Sequence, residues 1–319
     1  MTLARKGIDL SPYRQFSAEQ WAQLRQGEPM TLSPADVKRL RALNDPIPFD
    51  EVKRLYLPLS RLLSLYVEAV QQLHQASATF LSQDHADRTP FVIGVSGSVA
   101  AGKSTIARIL HALMQRWPHS PRVDLVTTDG FLFPNRVLEA RGLMEKKGFP
   151  SSYDREAFIR FLSGLKSGLK NLRVPVYSHL IYDIVPDRFI TVNQPDIVIV
   201  EGLNILQPGP MPEDGAPVSF VSDYLDFAIY LDAAEPDLRH WFLQRFLKLR
   251  QTAFVDPQSF FHRFAQMPEK EAIAMAIHVW ETINLPNLEQ NILPTRGRAD
   301  LILTKQRDHL ISQVALRRL

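Results

Sequence analysis

The chain has 319 residues, 45% of them hydrophobic, and contains no cysteine. That length and apolar content suit one large domain, or a core with an insertion, and the missing cysteine excludes disulfides, thiolate metal sites and cysteine nucleophiles. The net charge of +3 is spread without a block of like charges, so no nucleic-acid-binding tail is read.

Residues 1–16 mix Arg5, Lys6, Asp9 and Arg14 with apolar residues and lack a continuous apolar core, so no secretory signal is read. No apolar stretch approaches membrane-spanning length, and the expectation is a cytoplasmic protein. The chain up to about residue 90 reads as helical. Ser17-Ala18-Glu19-Gln20 forms a capping box for a helix through Leu24. Ser33-Pro34-Ala35-Asp36 opens another, which runs to about Leu43. Residues 50–81 are helical again, with Pro58 expected to kink or divide the helix. This long apolar helix packs on the core by default, with a dimer interface as the alternative.

Next, 91–95 is a short apolar run suited to a buried strand. It leads into Gly97-Ser98-Val99-Ala100-Ala101-Gly102-Lys103-Ser104, which fits G-x-x-x-x-G-K-[ST] at each fixed position. Thr105 and the residues to Met114 then continue at helical spacing. Backbone N–H groups of such a loop, with the positive helix end, form a nest for a polyphosphate. Lys103 would reach the β/γ-phosphates and the Ser104 hydroxyl would ligate Mg²⁺.

Strand and helix alternate from there, which predicts a mainly parallel sheet covered on both faces. Strands are expected at 123–127, 197–200, 225–231 and 301–303, the last followed by a C-terminal helix. Crossover helices are expected at 155–167 and 235–250. Inserted segments are read at 135–153, 175–188 and, mostly helical, 257–292. Residues 208–217 read as an exposed proline-rich loop.

Two acids stand at strand ends, Asp129 after 123–127 and Glu201 after 197–200. Ligands in open α/β sheets bind beyond the carboxyl ends of the strands. Asp129 suits the group that takes a proton from an acceptor hydroxyl, and Glu201 suits an oxygen ligand for Mg²⁺, directly or through water. Arg245, with Lys248 and Arg250, lies on a basic helix that either faces solvent or neutralises phosphoryl charge. Tyr177-Ser178-His179-Leu180-Ile181-Tyr182-Asp183 is dense in polar groups. No H-x-x-x-H or similar metal-ligand spacing occurs.

With these stretches in place, the chain resembles the bacterial type I pantothenate kinases, within the larger group that includes uridine kinase and phosphoribulokinase. The resemblance is carried by 97–104, 127–131, Lys146-Lys147-Gly148-Phe149-Pro150, 176–183, Glu201-Gly202-Leu203-Asn204, 245–248 and Asn291-Ile292-Leu293-Pro294-Thr295-Arg296. It implies an α/β, P-loop NTPase-type three-layer fold, with N-terminal helices over 1–88 and a single kinase domain whose core spans 89–319. It implies ATP- and Mg²⁺-dependent phosphorylation of pantothenate, the first committed step toward coenzyme A, in a homodimer inhibited by coenzyme A.

In that family the residue matching Asp129 activates the hydroxyl, and Lys103 and Arg245 balance charge. Those matching Tyr177, His179, Arg245 and Asn284 surround pantothenate, and those matching Asn44 and His309 flank the adenine. For coenzyme A, the implied contacts are Arg108 and His179, with Phe246, Phe254 and Phe261 around its thiol end. Phe242, Phe260 and Phe264 stand where tyrosine is often found, and Leu249 where phenylalanine is. A uridine-type or other metabolite kinase is the nearer alternative. A nucleotide switch is the more distant one, and Thr304-Lys305-Gln306-Arg307-Asp308 does not supply its guanine-specifying N-K-x-D.

Overall fold

Strand β2 (Phe91–Gly97) and strand β6 (Ile197–Glu201) are buried at every residue. Both are near-continuous apolar runs, the composition of inner parallel strands covered on both faces. They lie side by side in a computed structural model that describes residues 11–25, 27–43, 45–82, 89–209 and 219–319. The sheet has seven strands in the order β1-β9-β8-β7-β2-β6-β3. The other members are β1 (Tyr13–Ser17), β3 (Val123–Thr127), β7 (Phe227–Ala233), β8 (Leu301–Lys305) and β9 (Ile311–Arg317). The five strands from β8 to β3 run parallel, and β9 and β1 extend the sheet antiparallel.

The two antiparallel strands correct the expectation at both chain ends. Residues 311–317 form β9 rather than a helix. Alanine, leucine and arginine there favour a helix, but Ile311, Val314 and Ala315 are buried and the segment is bonded to β8 on one side and β1 on the other. Sheet pairing outweighs local propensity. The N-terminal region, read as wholly helical, supplies the strand β1, whose Tyr13 hydroxyl donates to the Ala299 carbonyl oxygen at 2.7 Å.

Helix α1 (Ala18–Gln23) and helix α2 (Pro34–Leu40) begin where the capping boxes place them, at Ser17 with Gln20 and at Ser33 with Asp36. α2 ends three residues before the expected Leu43. Residues 50–81 resolve into a π-turn Val52–Tyr56 and helix α3 (Leu57–Phe80). Pro58 lies just after the π-turn, inside a continuous helical run, and its missing N–H removes one backbone bond from the run at that point. α3 packs on helix α4 (Lys103–Met114). Helix α5 (Arg155–Lys166) and helix α6 (Glu235–Arg250) match the two crossover expectations closely.

The segment read as an insertion at 175–188 is a two-stranded antiparallel sheet of β4 (Leu172–Ser178) and β5 (Asp183–Val192), bulged between Pro175 and Tyr177. The block 257–292 contains helix α7 (Glu269–Val279) and further short helical turns. Residues 210–217 of the proline-rich loop lie outside the described residues, as do residues 1–10.

Candidate active site

Sheet register sets the site. Glu201 at the end of β6 is paired laterally with Val95 of β2 and Thr127 of β3. The glycine loop after β2 and the turn Thr128–Phe131 after β3 therefore emerge at the same height, beside Glu201. Gly202 lets the two acid-bearing segments approach. A Cβ there would come within 2.2 Å of Thr128 Oγ1, closer than any side chain could sit.

Lys103 and Ser104 open α4, capped by Gly102 in a left-handed conformation. The Lys103 ammonium donates to the Ser98 carbonyl oxygen at 2.8 Å, folded back over its own loop. Burial holds its pKa down, opposed by the carboxylates of Glu201 and Asp129, while Arg245 adds to the depression. The Ser104 hydroxyl donates to Glu201 Oε1 at 2.8 Å. Glu201 is itself buried, and burial raises its pKa against the pull of Lys103 and of the Ser104 bond. Arg245, on α6, is open to solvent on one side; partial desolvation lowers its pKa, and the Asp129 and Glu201 carboxylates hold it up. The structure thus brings Lys103, Ser104, Glu201, Asp129 and Arg245 into one cluster. Opposed charges in a shielded setting interact far more strongly than in bulk water.

His179 joins this cluster, its Nε2 at 3.8 Å from Asp129 Oδ2. The Tyr177 and His179 rings stand edge to face with centroids 5.2 Å apart. Both are carried by the β4–β5 hairpin and its turn. Phe246 and Phe254 have ring centroids 5.7 Å apart, and Phe254 and Phe261 5.1 Å. Phe264 packs on Phe246 at 5.4 Å and is buried, so a phenyl ring suits this dry position. The cluster reaches Tyr182 through Phe260 and Phe261, at 5.2 and 4.8 Å. Phe242 instead lies against Trp280, 5.6 Å away.

The other expected residues lie around this cluster, and Arg108 is near enough to lower the pKa of Glu201. Asn284 ends a π-turn, Trp280–Asn284, and among the described residues no hydrogen bond joins it to the Asp129 cluster. Arg108 donates from Nε to the Leu40 carbonyl oxygen at 2.9 Å, and the Thr105 hydroxyl accepts from the Ala42 N–H. Together they hold the end of α2 and the residues just after it to α4. His309 is buried and stacked on Trp241, centroids 4.3 Å apart. Asn44 lies outside the described residues.

Sequence reasoning gave no role to Lys147, which the structure places beside the substrate candidates. Its ammonium donates to Asn135 Oδ1 at 2.6 Å and lies over the Tyr182 ring, 3.9 Å from the centroid. Burial brings its pKa down to about 8, against the pull of Asp183 and Asp129. An amide network was missed as well. Asn204 and Asn287 both donate to the Gly148 carbonyl oxygen, at 2.8 and 3.0 Å. Asn291 donates to Asn287, and Gln207 to Asn291. The helical i,i+4 spacing of Asn287 and Asn291 was the available signal.

The Ser104 hydroxyl and the Glu201 carboxylate are hard oxygen donors set side by side at the phosphate loop. Magnesium is commonly held by one or two such groups together with phosphates and waters, so this pair fits the ion.

Residues 92–252 match the model of the phosphoribulokinase/uridine kinase family. A pantothenate kinase from Chelativorans sp. is 58% identical over 309 residues, covering 97% of each chain. One from Mesorhizobium japonicum is 57% identical with the same coverage. Among solved structures, a D-glycerate 3-kinase from Cryptococcus neoformans var. grubii shares the fold with a TM-score of 0.53 at 14% identity, covering 81% of this chain and 99% of that one. With the glycine loop, strand-end acids and Arg245 gathered at one edge of the sheet, and relatives alike over nearly its whole length, the chain belongs to the pantothenate kinases of the phosphoribulokinase/uridine kinase family.

Proposed function

We propose that the protein transfers the γ-phosphoryl group of ATP to the terminal hydroxyl of pantothenate, the first step toward coenzyme A. The observation that carries this reading is the cluster of Lys103, Ser104, Glu201, Asp129 and Arg245 at the carboxyl ends of β2, β3 and β6, with the Tyr177–His179 pair beside Asp129.

The glycine loop from Gly97 to Ser104 wraps the nucleotide phosphates, and Lys103 swings from the Ser98 carbonyl onto them. Asp129 accepts the hydroxyl proton as the pantothenate oxygen bonds to the γ-phosphorus and the bond from phosphorus to the β–γ bridging oxygen breaks. Arg245 and Lys103 balance charge on the transferred group. Ser104 and Glu201 are the residues that would hold Mg²⁺, which when bound would neutralise phosphate charge. Tyr177, His179 and Asn284 position pantothenate, and Asn44 and His309 take the adenine.

The same reading includes coenzyme A as an inhibitor competing with ATP, its phosphates on Arg108, a further contact at His179 and its thiol end among Phe246, Phe254 and Phe261. It includes a cytoplasmic homodimer. Exposed Leu65, Leu73 and Phe80 on α3 support that assembly, and no helix among the described residues is long and apolar enough to cross a membrane.

The experiment is ADP release with ATP and Mg²⁺ in the presence of pantothenate, uridine or no acceptor. Pantothenate is expected to stimulate release and appear as a phosphopantothenate mass. Stimulation by uridine alone, or release independent of any acceptor, would refute the assignment.

A further inference from the structure

The Lys305 side chain is fully buried, yet the reaction described above gives it nothing to do. It leaves the end of β8 and passes behind the glycine loop. Its ammonium donates to Asp45 Oδ1 at 3.0 Å and to the Ala101 carbonyl oxygen, inside the loop, at 3.1 Å. It also lies 5.5 Å from the centre of the Trp241 ring, the ring on which His309 stacks. Asp45 is equally buried, and the Nδ1 atom of His309 is 3.5 Å from its Oδ1.

The pair presses on the loop itself. A Cβ at Gly102 would come within 2.5 Å of Asp45 Oδ2 and 2.8 Å of Lys305 Nζ. Gly102 has φ of +95°, so its backbone both takes the left-handed form and rests against the ion pair. Burying two charges carries a desolvation penalty that their attraction often fails to recover, so such a pair is weak evidence of stabilisation. Here one of the ammonium's bonds goes to a loop carbonyl, and the partner carboxylate touches the glycine that caps α4.

We propose that the Asp45–Lys305 ion pair is a positioning device for the phosphate loop, fixing the Ala101 carbonyl and Gly102 from behind so that the loop N–H groups face a polyphosphate. Lys305 acts through the loop and touches no phosphate. The inference rests on the nucleotide-binding half of the functional reading and is independent of the acceptor.

The test compares the parent, Lys305→Met and the double variant Asp45→Leu/Lys305→Met by equilibrium binding of ATP and of inorganic tripolyphosphate, with thermal unfolding alongside. Tripolyphosphate engages the loop alone, whereas ATP also engages the base side. Both probes are expected to weaken together, on the order of tenfold, as a charge-assisted hydrogen bond to the loop is lost. The double variant replaces the pair by apolar side chains, a change that is often neutral or stabilising. It is expected to recover thermal stability while its affinity for both probes stays reduced, a split that a purely structural pair would not give.

Should Lys305→Met not fold, the double variant alone decides. Parent-like binding of both probes by the double variant overturns the proposal, and so does weakening of ATP with tripolyphosphate unchanged. Parent protein that binds ATP without phosphorylating pantothenate is a failure of the functional reading alone.

Discussion

Ser104 and Glu201, 97 residues apart in the chain, are joined by a hydrogen bond of 2.8 Å from the serine hydroxyl to the carboxylate. One belongs to the loop that receives phosphates and the other to the end of a fully buried strand. Glu201→Gln keeps the shape and removes the charge. Turnover is expected to fall by roughly 100-fold or more, the scale of losing one electrostatic contributor at a reacting centre. The pH dependence of stability follows from burial. The folded-state pKa of Glu201 lies above its ordinary value, so ionisation opposes folding, and stability is lost as pH rises from the unfolded to the folded pKa. Thermal unfolding of the two proteins should therefore shift in favour of the glutamine variant as pH is raised from about 4.5 to 7.5. A difference that stays constant across that range would contradict the assignment.

Asp129 also faces the hairpin carrying Tyr177 and His179, with His179 Nε2 3.8 Å from its Oδ2. Asp129→Asn is expected to keep ATP binding and lower kcat by about 10²- to 10⁴-fold, the range for removal of a general base. Calorimetric ATP binding and steady-state turnover measured on the same sample check this. A variant that turns over like the parent removes the general-base role.

Arg245 feels the charge of two carboxylates, Asp129 and Glu201, which oppose the lowering of its pKa by desolvation, although the residue stays open to solvent. Arg245→Lys retains a charge but not the planar fork that meets phosphoryl oxygens. Its kcat is expected to drop by about 10²- to 10³-fold, somewhat below the effect of removing a transition-state arginine outright. Single-turnover measurement separates this loss from slower product release. A rate near that of the parent would mean that the arginine binds rather than stabilises charge in transfer.

Much of this arrangement is legible in the sequence, because each part of it is local. The glycine loop needs only β2 before it and α4 after it, and Asp129 and Glu201 each follow an apolar run. What the sequence hides is non-local. β1 pairs with β9, and β9 with β8, so both strands depend on partners distant in the chain. The Lys305 ammonium meets Asp45 across 260 residues, and no periodicity signals that contact. Arg245 reads equally well as part of a solvated basic face until α6 is seen to turn it toward Asp129 and Glu201.

His309 offers a second pH test. Burial, with Lys305 nearby, brings its pKa down to about 4 from an ordinary 6.5. The unfolded chain binds the proton first, so stability is full above about 6.5 and is lost as pH falls toward 4. His309→Asn removes the titrating group, and asparagine tolerates the left-handed backbone found here. The fall in Tm between pH 6.5 and 4.5 is expected to be smaller in this variant. An equal fall would show that other groups carry the acid sensitivity.

Gly202→Ala tests the spacing of the two acid-bearing strand ends. The new methyl would meet Thr128 Oγ1 at 2.2 Å, Cγ2 at 2.6 Å and Cβ at 2.9 Å. Thr128 is buried and β-branched, so it has no flexible end to swing aside. Overpacking of this kind costs about 1–3 kcal/mol, and it would be relieved by moving Thr128, and with it Asp129, away from Glu201. The variant is expected to lose both thermal stability and turnover. Adding Thr128→Ala removes the two closest atoms and is expected to restore part of each. Full turnover in Gly202→Ala, despite lowered stability, would show that the reaction tolerates a change in the Asp129–Glu201 spacing.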